Sequence, residues 1–142
     1  MHALKHKLRL YYFTAIFSMI FAVVGFSYNA WRMEVSEDNN NIRTASFEVL
    51  QSLAELEQNI YAAHYDQDIE NGSPRIGWVK IGLVNDLSPL ISSSAQLKAR
   101  QLKQYWAANW QDVTEQTATV EQLVRHIDEV RAAIQQQLTT LE

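Results

Sequence analysis

Carboxylates alternate at Asp66, Asp68 and Glu70 in the stretch HYDQDIENG, the spacing at which a calcium loop turns acidic oxygens towards a cation. An EF-hand loop also needs glycine at its sixth position, for the sharp turn, and a bidentate glutamate at its twelfth. Counted from Asp66, Gly72 falls seventh and Gly77 takes the twelfth place. The last ligand is missing, so the stretch reads as an acidic, solvated turn. Histidine offers a second kind of chemistry. His64 stands beside Tyr65 and Asp66, and His126 stands near Asp128 and Glu129. Neither has a histidine four residues away, and the chain has no cysteine, so these two lone histidines do not make a zinc motif. His64 is read as a basic residue favoured by a helix C-terminus, with a pH-sensitive contact to a partner as its functional alternative. There is no Ser/His/Asp order, no phosphate-binding glycine loop and no HExxH. The sequence therefore predicts no enzyme, no catalytic residue, no metal and no cofactor.

Aromatic residues form the remaining chemical cluster. Trp78, Tyr105, Trp106 and Trp110 could line a ligand pocket or anchor a partner protein. Their helical spacing favours packing, with Tyr61 and Tyr65 near them. A small-molecule ligand is conceivable on this reading but is not favoured.

The elements that hold these residues follow from charge and apolar periodicity. The net charge of −4 is unevenly spread. Lys5, Lys7 and Arg9, with His2 and His6, precede an uncharged stretch, and all sixteen Asp and Glu lie after Arg32. From Met33 onward eight Lys and Arg face those sixteen acids. An acidic body argues against nucleic acid, whose phosphates need a positive face.

Residues 10–31 carry no charge. Twenty-two helical residues reach roughly 33 Å, enough for a hydrocarbon core of ~30 Å. A secretory signal is shorter, and its cleavage site needs small residues where Tyr28-Asn29-Ala30 places a bulky tyrosine. Tyr11, Tyr12 and Phe13 at one end, with Tyr28 and Trp31 at the other, form the aromatic belts of a helix that stays in the bilayer. Basic flanks stay inside, so the expected topology is a cytoplasmic N-terminus and an outer body. Thr14, Ser18, Ala22, Gly25 and Asn29 share one face, all small or polar, opposite Phe13, Phe17, Ile20, Phe21, Val24 and Tyr28. In lipid such a face lets another helix approach closely, so these five residues are the expected membrane-helix interface.

Beyond the polar SEDNNN stretch, Ile42, Ser46, Val49, Leu53, Leu56, Ile60 and Ala63 recur at alternating fours and threes. Gly72, Pro74 and Gly77 break the pattern. A shorter apolar piece follows through Ile76, Val79, Leu83, Leu87 and Ile91, with Ser88-Pro89 read as a cap and first helical turn. From Ala95 a long seam runs through Ala99, Leu102, Trp106, Asn109, Val113, Gln116, Val120, Leu123, Ile127, Val130, Ile134, Gln137 and Leu141. It is divided near Asn109 to Asp112, where Asp112 and Glu115 could cap a new helix.

The expected fold is all-α: one N-terminal transmembrane helix, then an extracytoplasmic antiparallel helical bundle or long hairpin. Residues 1–9 are a basic cytoplasmic stub and 10–32 the span. Residues 33–41 are a polar linker or a continuation of the helix, and 42–142 a helical domain with helices near 42–66, 76–88, 89–110 and 112–141. The layout resembles that of short bacterial division proteins, with a small stub, one span and extracytoplasmic helices; the likeness rests on no motif. It implies the inner membrane of a bacterial cell. The function expected from these features is a non-enzymatic, single-pass accessory or scaffold subunit, with an integral membrane protein or a second copy of itself as partner. The alternatives are a sensory bundle like those of bacterial chemoreceptors, signalling through another protein, and a homodimeric coiled coil with Gln116 and Gln137 setting its register.

Overall fold

The structure, a computed structural model, describes residues 2–141. Met1 and Glu142, the ends of the predicted stub and outer domain, lie outside the described residues. The chain is all-helical, with four α-helices among the described residues: α1 (His2–His64), α2 (Pro74–Leu87), α3 (Ser93–Asn109) and α4 (Thr117–Leu138). They fall into two compact units, the first ending at Asp38 and the second starting at Asn39.

The first unit is helix alone. Its apolar part has a mean hydropathy of 1.8 and is long enough to cross a membrane. Every side chain from Lys5 to Asp38 is exposed within the chain, including Phe13, Phe21 and Trp31. No break occurs at the asparagines, so residues 33–41 continue α1. Asparagine costs only about 0.7 kcal/mol relative to alanine inside a helix, which cooperative propagation between two strong segments absorbs. The Thr44 hydroxyl donates to the Asn40 carbonyl at 2.9 Å within that helix.

The second unit is a four-helix bundle, and its contacts fix the direction of each helix. Lys80 reaches Glu55 while Asn59 reaches Ser73, so α2 runs antiparallel to the end of α1. Asn85 reaches Ala99 and Trp78 meets Trp106, reversing α3 against α2. Lys98 pairs with Glu129 and Tyr105 meets His126, reversing α4 against α3. Arg131 pairs with Glu57 while His64 reaches Thr117, which closes α4 on α1. The expected antiparallel bundle is therefore found, and the long hairpin is not.

One contiguous core joins the four helices. The α1 seam supplies Ser46, Val49, Leu53, Leu56 and Ile60, all with no exposure. Ala95, Ala99, Leu102 and Trp106 of α3 meet Val120, Leu123, Ile127, Val130 and Ile134 of α4 in the same core. Gln116, expected on that seam, is exposed and stands just before α4.

The short helix departs from expectation. Its buried residues are Gly77, Ile81 and Val84, followed by Ser88, whereas Ile76, Val79 and Leu83 face outward; Leu87 and Ile91, at the far end of the expected stripe, do pack in the core. The cause is Trp106. A Cβ on Gly77 would lie 2.4 Å from Trp106 Cζ2, so only glycine lets the indole lie against α2. The bulkier stripe could not take that place. Ser88-Pro89 does not open α3; Ser88–Leu90 is a 3₁₀ turn. The cap is Ser92, in extended conformation, whose side chain accepts from the Ala95 N–H at 3.1 Å. Nor do Asp112 and Glu115 cap α4: Trp110–Asp112 is a second 3₁₀ turn, and Gln116 precedes α4 without a side-chain bond.

Replacing Gly77 with Ala forces this contact open. The expected loss is about 1–3 kcal/mol, read as a lower Tm of the whole chain in non-ionic detergent. An unchanged Tm would show that the Trp106 contact does not set the α2–α3 distance.

Candidate functional site

Two surface features of the bundle stand out. One is the outer face of α2. The other is a hollow at the end of the bundle where the connections 65–73 and 110–116 meet.

Asp68 organises the first connection. Its Oδ1 accepts from the N–H groups of Glu70 and Asn71 at 2.9 and 3.0 Å, and its Oδ2 accepts from the Asn71 amide at 2.7 Å. Gln67 takes a left-handed conformation, φ 52°, to start the turn. Gly72 closes it where a Cβ would meet the Ala63 backbone at 2.5 Å. The buried Asn59 amide donates to the carbonyls of Asn71 and Ser73, tying the turn to α1. Asp68 thus spends both oxygens on the turn. Among the described residues no cluster of three or more His, Asp or Glu side chains could hold a metal.

His64 ends α1 and bridges to the second connection. A carbonyl only accepts, so Nδ1 donates to the Val113 carbonyl at 2.8 Å; in the neutral ring Nε2 then accepts from the Thr117 hydroxyl at 3.1 Å. Its ring also meets Tyr65 edge-on at 4.7 Å. His64 is therefore a tie between connections as well as a basic helix end.

The aromatic set divides. Trp106 is buried in the core, with Trp78 edge-on at 6.2 Å and still 37 % exposed. Trp110 is half-buried and lines the hollow beside Trp106. Tyr105 lies elsewhere, in a shallow groove between α3 and α4, against His126. Tyr61 and Tyr65 pair with each other at 5.7 Å. The four predicted contact residues do not form one site. The hollow also takes Ile69, Val113 and Glu115, which no sequence motif marks.

The outer face of α2 carries Ile76, Val79 and Leu83, all exposed, and Leu90 continues the apolar surface in the turn beyond. The segment that carries it is basic in sequence. Segment 74–109 has five Lys and Arg against Asp86 alone, a net +4. The rest of the body, 39–73 and 110–142, has three Arg against twelve Asp and Glu, a net −9. Arg75, Arg100 and Lys103 stand on the basic segment, exposed.

In the apolar part of α1, the five small or polar residues are also exposed. Gly25 has open space where a Cβ would be. Thr14 donates back to the Leu10 carbonyl at 2.9 Å, so its hydroxyl is satisfied within its own helix. No family model, curated protein or solved structure matches the chain.

Three carboxyls gain partners on folding. The Asn71 N–H groups hold Asp68 below its ordinary range, and Lys80 and Lys98 do the same for Glu55 and Glu129. Their folded pKa values lie below the unfolded ones, so the stability they contribute is complete above the ordinary carboxylate range, about pH 4. It is lost as pH falls through the folded values. Tm is expected to hold between about pH 8 and 5 and to drop below about pH 4; a flat profile down to pH 2.5 would contradict this account.

Proposed function

We propose that the protein is a non-enzymatic, single-pass membrane subunit that docks another protein. In this reading residues 10–32 cross the bilayer, with the N-terminus cytoplasmic and the bundle outside. The supporting observation is the apolar surface left over once the core has closed. The apolar part of α1 buries nothing within the chain, and α2 keeps Ile76, Val79 and Leu83 facing outward. Large contiguous apolar patches of this kind mark interaction sites. The small-residue face from Thr14 to Asn29 suits close helix approach in lipid, against an integral membrane protein or a second copy. Lys5, Lys7 and Arg9 supply the orienting charges.

The orientation is tested by single cysteines, which the chain otherwise lacks. An impermeant maleimide added to intact cells is expected to label Ser94→Cys and spare Lys7→Cys; the reverse pattern would invert the topology. Docking is tested by gentle extraction of the tagged protein from its native cells. A second protein, or a second copy, is expected to co-purify, and a lone monomer would defeat the proposal. Ser18→Cys separates the partners: self-crosslinks give a homodimer, and crosslinks to another species give a complex. Val79→Asp with Leu83→Asp, at exposed positions, is expected to release a partner held by the bundle without lowering Tm.

A further inference from the structure

We infer that the hollow between connections 65–73 and 110–116 is a binding site for a small organic cation, an alkylammonium or quaternary ammonium group on an apolar body. The inference rests on the second unit alone and is independent of the membrane reading. The hollow has a volume of about 480 Å³, within the size range of small-molecule sites. Its walls combine two kinds of surface. The half-buried indole of Trp110, with Val113 and backed by the buried Trp106, forms an apolar wall, and Ile69, 92 % exposed, stands at the rim as a side chain a ligand could cover. Asp68 and Glu115 supply two carboxylates, and no Lys, Arg or His lines the hollow.

That combination selects by charge. Indole faces attract cations through the ring quadrupole, and tryptophan is the strongest of the aromatic side chains in this respect. Two carboxylates with no cationic side chain beside them in the lining add Coulombic attraction and repel anions. The polar elements are also held in place before any ligand arrives. Asp68 is fixed by the hydrogen bonds from Glu70 and Asn71. The two connections are joined by the His64 bond to Val113. A preorganised site loses little freedom on binding.

The test uses the full chain in non-ionic detergent, with choline chloride as probe and 3,3-dimethyl-1-butanol as its uncharged isostere, at matched ionic strength. Tryptophan fluorescence is expected to change saturably with choline, and choline is expected to bind at least about tenfold more tightly than the alcohol. Glu115→Gln, at an exposed side chain, is expected to weaken choline binding by about tenfold with Tm unchanged. Trp110→Ala is expected to weaken it too, with Tm measured alongside because that residue packs against the core. Glu121→Gln, a charge outside the hollow, is expected to leave binding unchanged. The inference is overturned by the absence of saturable binding, by equal binding of the alcohol, by an inert Glu115→Gln, or by an equal effect of Glu121→Gln.

Discussion

The packing of Trp106 against Gly77 is the contact on which the rest of the second unit depends. An indole is the largest side chain in the core, and here it lies where any Cβ would collide with it. This sets the rotation of α2 about its own axis. With Gly77 inward, Ile81, Val84 and Ser88 follow it on the same face, and Ile76, Val79 and Leu83 are carried outside. The same indole lines the hollow at the end of the bundle. A core contact, an exposed apolar stripe and a lined hollow are thus consequences of one close approach. Its cost is also visible: Trp106 Nε1 is buried without an acceptor, a loss that the apolar burial of the ring must exceed.

Much of the bundle was legible in the sequence because hydropathy and burial coincide along most of it. The α1 seam from Ser46 to Ala63 and the later seam through Leu102, Trp106, Leu123, Ile127 and Ile134 are buried as read. Where hydropathy and burial part company, the reading fails. Gly77 carries no apolar signal, yet it is the buried residue because of its lack of a side chain, while the stronger apolar signal on α2 belongs to Ile76, Val79 and Leu83, which face outward. Local polar chemistry misleads in the same way: Ser88-Pro89 and Asp112 to Glu115 both resemble helix starts, but each lies at a tight 3₁₀ turn, and the true cap, Ser92, looks no different from its neighbours in sequence. The hollow was not legible at all. Its walls come from segments some forty residues apart, brought together only by the antiparallel closure of α4 on α1.

The polar interior is sparse, and each part of it joins two elements. Asn59 ties the first connection to α1, Asn85 ties α2 to the Ala99 carbonyl, and Arg131 joins α4 to Glu57. A buried amide N–H that finds its acceptor adds little net stability, but leaving it unpaired in another register costs about 1–3 kcal/mol. These bonds therefore select among arrangements that hydrophobic burial alone would tolerate. Helices built from alternating fours and threes can slide by a turn and still bury leucines; Asn85 against Ala99 cannot.

Charge separates the two contact surfaces. Most of the body is acidic. Segment 74–109 is the exception, and it is the one that carries the apolar stripe. A partner surface with its own apolar ridge and acidic edges would meet matching chemistry there, and would be repelled at the faces of α1 and α4. The hollow has the opposite bias, with carboxylates and no cation in its lining. The two proposed surfaces thus differ in charge, so a charge that would favour binding at one would oppose it at the other.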